Sequence, residues 1–156
     1  MTLVRKHGFT LIELMIVIAI LALIVAIAIP KFGSLVSKSR ESNTKGNLGA
    51  IRSALSIYYG QNEAHYPSDN LDSLAANGHF LEMIPPANLP PTQNSPGHGG
   101  GPINNVITGT IPTAIDDVAD GHSGWLYDNV SGDELYGSVI VNCTHSDVYG
   151  VNWTTY

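Results

Sequence analysis

Basic residues are missing from the last two thirds of this sequence. All seven lysines and arginines lie at or before Arg52, and residues 53–156 contain none. Nucleic-acid binding depends on basic side chains that neutralise phosphates, so this region is excluded as a nucleic-acid-binding domain. Of the thirteen carboxylates, all but Glu13 and Glu41 lie in that same region. The C-terminal part is therefore acidic, suited to binding cations or to contacting the basic segment of another copy.

Cysteine is almost absent as well. Cys143 is the single cysteine, so no disulfide can form within the chain. The sequence also has no His-Glu-x-x-His motif, no Gly-x-Ser-x-Gly motif and no phosphate-binding loop. We therefore predict that the protein is not an enzyme and binds no cofactor, with Ca²⁺ as the one candidate ligand.

What the sequence does contain is one long apolar segment, residues 9–29, whose single charge is Glu13. At roughly 1.5 Å per residue, a helix of this length spans about 30 Å, the thickness of a bilayer core. An ordinary secretory signal peptide would explain Arg5, Lys6 and the small residues at 26–28, but the apolar stretch is too long and contains a glutamate. A plain membrane anchor would explain the length but not the carboxylate, which costs roughly 2–3 kcal/mol there.

The residues at the start of this segment explain both the length and the glutamate. Residues 6–14 read KHGFTLIEL. The first three of them are the last residues of a short basic leader. This string resembles the type IV prepilin motif, which is shared by type IV pilins and type II secretion pseudopilins. The resemblance implies that a membrane-embedded prepilin peptidase cuts between Gly8 and Phe9 and methylates the new amino group of Phe9.

Glu13 lies about one helical turn from the Phe9 amine that this cleavage would create. Opposite charges attract strongly in an apolar phase, and each charge is costly there alone. When helices stack with an axial stagger, the amine of one subunit can meet Glu13 of another and set the register of assembly. The alternative is that Glu13 only reaches the lipid headgroups, because it lies near the membrane edge.

The resemblance implies an assembly role in which Phe9, Glu13 and Pro30 take part. The implied partners are further copies of the chain, the prepilin peptidase, an inner-membrane assembly platform and the membrane, with no nucleic acid. We expect a single inner-membrane span with the leader cytoplasmic and the head periplasmic, and later incorporation into a pilus or pseudopilus. Basic residues after the span outnumber those in the leader, which weakly favours the opposite orientation, but the motif requires the leader inside.

The helical pattern continues beyond the apolar segment. Pro30 ends the purely apolar block and predicts a kink or a meltable turn. Apolar residues then recur at helical spacing, and Glu41 and Lys45 are predicted to form an i,i+4 ion pair. We predict one helix from Phe9 to Tyr59, ended by the glycine that follows.

The sequence divides into four segments: a cleaved leader (1–8), a transmembrane and polymerisation helix (9–30), an amphipathic stem (31–60) and a globular head (61–156). In the head, Ser68 is the predicted N-cap of a short helix, and residues 85–112, rich in proline and glycine, are predicted to be a long loop. Three strands are predicted, at 125–127, 135–142 and 148–153. The predicted fold class is α+β, a long N-terminal helix packed on a small antiparallel C-terminal sheet.

Acidic residues of the head form the candidate metal site, with Asp117, Asp120 and Asp128 as calcium ligands. Residues 116–127 do not fit an EF-hand loop, because Val118 and Tyr127 occupy ligand positions. Major secretion pseudopilins, which the chain resembles, carry calcium in their C-terminal loops. A membrane-tethered extracytoplasmic binding protein with an acidic, cation-binding head is therefore the alternative to a filament subunit.

Overall fold

The computed structural model describes residues 8–91, 104–111 and 124–156, without the side chain of Asn77. The predicted leader lies outside these residues except for Gly8. The chain divides into two compact units, residues 1–36 and 37–156. In chain order the elements are α1 (Leu11–Gln61), α2 (Asp72–Ala75), a 3₁₀ turn (Ala76–Gly78), β1 (Val106–Thr108), β2 (Trp125–Tyr127), β3 (Val139–Val141) and a second 3₁₀ turn (Trp153–Thr155).

Helix α1 is 51 residues long and contains Pro30 without interruption. The turn around Pro30 is helical, and the predicted kink or meltable turn stays a prediction. The helix also continues through Gly60, two residues beyond the predicted end. It stops where Glu63 and Ala64 adopt left-handed φ angles of 51° and 60°. Such angles break the helical repeat and reverse the chain.

The stem part of α1 packs on the head through one face. Its buried residues recur every three or four positions, the pattern of an amphipathic helix, and they are Glu41, Thr44, Leu48, Ile51, Ala54 and Leu55. The apolar members join a core that also contains Leu71, Leu74, Trp125, Tyr127, Val139, Val141 and Trp153. The predicted α+β class, with the long helix packed on a small sheet, is confirmed.

The sheet is mixed, so the prediction of an antiparallel sheet is wrong. Its strand order is β1-β2-β3. Strand β1 pairs in parallel with β2, placing Val106 opposite Trp125, whereas β2 and β3 are antiparallel, with Leu126 opposite Ile140. Strand β1 lies in the segment predicted to be a loop. The prediction missed it because three residues alone do not show that they pair with a strand later in the chain.

Both faces of strand β2 are buried, as the alternation of side chains in a strand requires. Trp125 and Tyr127 point into the main core against α1. Leu126 points to the opposite face, where it forms a second cluster with Ile111 and Ile140. The sheet is thus covered on both sides, which explains the apolar character of all three β2 residues.

The prediction of a strand at 148–153 is wrong. The chain turns there: the Asp147 N–H donates to the Val151 carbonyl at 2.8 Å, and the Gly150 N–H donates to the Asp147 carbonyl at 3.0 Å. The Asp147 carboxylate also accepts the N–H groups of Tyr149 and Val151. Such local side-chain bonds compete with strand pairing. Only an isolated bridge between Ser146 and Asn152 remains.

Two other local predictions need correction. In the predicted strand 135–142 only Val139–Val141 is extended, since residues 131–137 form turns. Ser68 does not cap the short helix. Helix α2 is preceded by Leu71 at φ 68°, and the Asp69 carboxylate accepts the Ser73 N–H at 3.1 Å.

Candidate assembly site

The segment before α1 is extended and open. Phe9 is 75% exposed. A Cβ built on Gly8 meets no atom within 4 Å, and the φ angle of Gly8 is not in the left-handed range. The fold of the chain itself therefore does not require glycine at this position. A strict need for Gly8 would have to come from a protein that handles the bond between Gly8 and Phe9.

Thr10 and Glu13 form a capping box at the start of α1. The Thr10 N–H donates to Glu13 Oε2 at 2.8 Å, and the Thr10 hydroxyl donates to the same oxygen at 2.7 Å. The Glu13 N–H in turn lies 3.3 Å from Thr10 Oγ1. Reciprocal bonds of this kind satisfy donors that a helix start leaves free. Glu13 thus has a local role that we did not predict, although the Thr-x-x-Glu spacing is a sequence signature of it.

The first unit presents an apolar surface without a partner. Every large hydrophobic side chain from Phe9 to Val36 is exposed, from 46% at Val17 to 77% at Leu11. Each such side chain gains about 1.5–3 kcal/mol when it is removed from water. By length and composition, α1 is the one helix in the described part of the chain that could cross a membrane. Pro30 lies within this surface.

The second unit contains a partly buried polar cluster, which we call the Lys45 cluster: Glu41, Lys45, Asp147 and Tyr156. Lys45 Nζ lies 2.7 Å from Asp147 Oδ2 and 2.7 Å from the Tyr156 hydroxyl. That hydroxyl donates to Asp147 Oδ2 at 2.6 Å. The cluster attaches residues 147–156 to the stem, a function that a disulfide could serve in a chain with more cysteines.

The predicted Glu41–Lys45 ion pair is wrong. Lys45 pairs with Asp147 instead, and this is the one ion pair among the described residues. Both Glu41 oxygens lie 3.2 Å from the Val148 N–H. The ammonium of Lys45 also lies 3.9 Å from the centre of the Tyr156 ring, so an aromatic face contributes to its binding.

The carboxylates of the Lys45 cluster have pKa values shifted in opposite directions. Burial alone would raise the pKa of Asp147, but hydrogen bonds from Lys45, Tyr156, Val151 and Tyr149 outweigh it and lower the pKa to about 2. For Glu41, burial dominates and raises the pKa above its usual value, against the opposing bond from Val148. The cluster therefore holds Asp147 charged and disfavours the charge on Glu41.

Of the three predicted calcium ligands, the structure describes only Asp128. Asp117 and Asp120 lie outside the described residues. Asp128 is fully buried, and its two oxygens accept the N–H groups of Ile111 at 3.2 Å and Val130 at 3.0 Å. Within the described ranges no group of three acidic, histidine or cysteine side chains could hold a metal ion. The calcium site stays a prediction.

Most residues of the Lys45 cluster carry no strong sequence signal. Lys45 and Asp147 are separated by 102 positions, so no local pattern links them. The one available hint is the position of Glu41 and Lys45 within the stem, where Glu41 falls on the buried stripe. A carboxylate at such a position predicts a buried polar partner.

The N-terminal segment matches a family model described as "Prokaryotic N-terminal methylation motif" over residues 3–29. Among curated proteins, the chain is 43% identical to the type IV major pilin protein PilA of Myxococcus xanthus over 39% of this chain and 28% of that protein. It is 39% identical to the fimbrial protein EcpC of Eikenella corrodens over 51% of this chain and 53% of that protein.

A third relative is the type IV narrow pilus major component PilA5 of Thermus thermophilus, 47% identical over 34% of this chain and 46% of that protein. The chain thus spans from about a quarter to about half of the length of these curated relatives. No solved structure matches the chain. The chain thus carries the prokaryotic N-terminal methylation motif and is similar to type IV pilins over part of its length.

Proposed function

We propose that the chain is a structural subunit of a type IV pilus-like filament, either a pilin or a type II secretion pseudopilin. The observation that carries the proposal is the first unit of the chain, an apolar helix surface that is exposed along its whole length and begins at the methylation motif. Burial of that surface requires either lipid or other copies of the same helix. In a filament subunit, lipid covers the surface while the chain is a membrane precursor, and other copies of the helix cover it in the helical polymer.

Processing precedes assembly in this proposal. A prepilin peptidase cuts between Gly8 and Phe9 and methylates the Phe9 amine, while the precursor spans the inner membrane with its leader in the cytoplasm. An inner-membrane platform then adds the subunit to the filament. The amine of Phe9 pairs with Glu13 of a neighbour, so that neither charge is left alone in the apolar bundle. The capping box supports this pairing, since it already holds the Glu13 carboxylate at the start of the helix, near Phe9.

The alternative is a membrane-tethered binding protein whose acidic head binds calcium through Asp117, Asp120 and Asp128. It requires neither cleavage nor polymerisation. The names of the relatives, which are pilins and fimbrial proteins, favour the filament. Calcium binding by the head is compatible with either function and stays a proposal.

Substitution of Gly8 tests the proposal. Gly8→Val should leave the full-length precursor in the membrane, because the peptidase must approach the chain closely at the cut. The fold tolerates a side chain there, since an added Cβ meets nothing within 4 Å. Gly33→Val is the matched control, because an added Cβ at Gly33 also meets nothing, and it should be processed normally.

The measurement is N-terminal sequencing and intact mass of the protein from the native host. Wild-type protein should start at methylated Phe9. Mature protein of normal length from Gly8→Val would contradict the cleavage site. An uncleaved wild-type chain starting at Met1 would overturn the filament proposal and leave the tethered binding protein.

A further inference from the structure

The second unit carries opposite charges at the two ends of its helix. Near its beginning, Lys38 and Arg40 are exposed; we call these two residues the basic end. Tyr59 lies near the other end of the helix. At 1.5 Å per residue it is about 28 Å from Arg40. No lysine or arginine follows Arg52 in the chain. Within the second unit, all lysines and arginines therefore lie on the stem. Arg52 is the one nearest the far end, and its guanidinium donates to the Val139 carbonyl at 2.9 Å.

At the far end of the helix lies an acidic turn, residues 130–137. Its place is set by aromatic packing: the Tyr59 and Tyr66 rings are 4.6 Å apart, and Tyr136 packs edge-on against Tyr66 at 5.3 Å. Glu134 is exposed and Asp133 is half-buried on this turn. The acidic turn and the basic end are thus held at opposite ends of one rigid helical segment.

Both ends combine charged side chains with exposed apolar surface. Within the described part of the chain the one ion pair is that of Lys45 with Asp147, so no ion pair there involves the charged residues of either end. The acidic turn exposes 40% of Leu135. At the basic end Tyr149 is 72% exposed, and its ring lies 5.6 Å from Lys38 Nζ. An apolar centre surrounded by charged groups is the usual composition of a protein interface.

We propose that the acidic turn of one copy binds the basic end of the next copy, so that the second units of the two copies make a head-to-tail contact. The two surfaces are different, which makes the contact heterologous, and a heterologous contact repeats into an open chain rather than closing a dimer. Complementary charges favour this register over contacts between like ends. The inference deepens the proposed filament function and rests on it: it names the head surfaces that align subunits assembled through their apolar helices.

Charge reversal in the full chain, expressed in the native host without its own copy, tests the contact. The doubles Asp133→Lys with Glu134→Lys, and Lys38→Glu with Arg40→Glu, should each lower surface filament yield about tenfold, because like charges then face each other. Combining all four substitutions restores opposite charges and should restore most of the yield. Glu82→Lys is the control: Glu82 is equally exposed but lies outside the acidic turn, so its yield should be unchanged.

Crosslinking provides a readout that does not depend on yield. Arg40→Cys combined with Glu134→Cys in a Cys143→Ser background should give a ladder of oligomers on non-reducing gels of sheared filaments. Either cysteine alone should give no ladder, since the contact joins two different surfaces. Undiminished filaments in either charge-reversed double, or no ladder from the cysteine pair in intact filaments, would overturn the contact. Absence of filaments from the wild-type chain would instead overturn the proposed function.

Discussion

At the residue scale, Glu13 has two roles that one pair of substitutions separates. Its carboxylate caps the helix through Thr10, and in the proposed filament it pairs with the Phe9 amine of a neighbour. Glutamine retains an oxygen that can serve in a capping box but carries no charge. Thr10→Val does the reverse: it removes the hydroxyl that takes part in the capping box and leaves the charge of Glu13 in place.

We predict that Glu13→Gln is cleaved after Gly8 but does not form filaments. The unpaired amine of each neighbour would cost roughly 3–5 kcal/mol per contact if fully buried. Thr10→Val should lose only about 1 kcal/mol of helix stability and still assemble. N-terminal sequencing measures processing, and the amount of sheared filament measures assembly. Wild-type filament yield from Glu13→Gln would show that Glu13 acts through the cap or the headgroups and not through the amine.

Because of Asp147, the free energy of unfolding of the head should decrease at low pH. Its pKa is lowered from 3.8 to about 2, so its contribution is present above about pH 4 and is lost as the pH falls towards 2. In a fragment of residues 31–156, Asp147→Asn should lower the free energy of unfolding by about 2–3 kcal/mol at pH 7. Urea unfolding should show this difference shrinking near pH 3. A constant difference from pH 7 to pH 3 would mean that the charge on Asp147 is not what stabilises the cluster.

Glu41 should have the opposite pH dependence. Its pKa is raised from 4.5 by burial, so the folded state favours the protonated form, and ionisation costs stability as the pH rises through the folded pKa. Glu41→Gln keeps an oxygen that can accept the Val148 N–H. We predict that it raises the melting temperature of the same fragment at pH 7 and leaves it nearly unchanged at pH 4. A lower melting temperature at pH 7 would show that attraction to Lys38 and Lys45 outweighs burial.

At the scale of elements, the turn before β3 depends on a glycine that touches an aromatic ring. Gly137 has φ 84°, and an added Cβ would clash with the Tyr66 ring. Gly132, in the same turn, has φ 94° but no atom within 4 Å of an added Cβ. The two positions therefore share backbone strain and differ in contact, which makes them a matched pair.

We predict that Gly132→Ala costs about 1 kcal/mol, the strain of a left-handed alanine. Gly137→Ala should cost clearly more, because it also displaces Tyr66 from between Tyr59 and Tyr136. The check is urea unfolding of the 31–156 fragment, with near-ultraviolet circular dichroism to follow the tyrosines. Equal losses for both variants would contradict the contact between Gly137 and Tyr66.

At the scale of the whole molecule, the folded core and the exposed apolar surface lie in different parts of the chain. The main core draws its helix residues from Leu48 onward, whereas the exposed apolar side chains are concentrated between Phe9 and Val36. The 31–156 fragment lacks most of that apolar surface. We expect it to be soluble and monomeric by size-exclusion chromatography with light scattering. Filaments formed by this fragment would place the assembly surface in the head.

The same fragment tests calcium binding. If the head binds calcium, EDTA should lower its melting temperature and added calcium should restore it, since a ligand stabilises the state that it binds. Asp117→Asn should abolish the calcium effect, and Glu82→Gln is the control because Glu82 is exposed on the head. Asp128 is unsuitable for this test, because its oxygens accept backbone N–H groups. A melting temperature that responds to neither EDTA nor calcium would remove the metal proposal.

The sequence by itself determined the features that depend on residues close together in the chain. The apolar run, the prepilin motif and the three-to-four-residue spacing of the stem predict the long helix and its buried face, since helical bonds and amphipathic faces join residues close in the chain. Strand β2 was predicted for a similar reason, because Trp125, Leu126 and Tyr127 are all strand-forming residues. Glycine and proline were weaker guides: α1 passes through Pro30 and Gly60, because the unfavourable preference of one residue lowers the stability of a long helix without by itself ending it.

Only the tertiary structure decided the contacts between distant residues. Strand β1 pairs in parallel with β2, and a parallel pair is joined through a crossover that no short pattern reveals. Lys45 binds Asp147 rather than Glu41, four residues away, because Asp147 is also fixed by Tyr156 and by two backbone N–H groups. Opposite charges at the two ends of the second unit follow in the same way. The chain shows that all basic residues precede Ser53, but packing of Tyr136 on Tyr66 places the acidic turn at the far end of the helix.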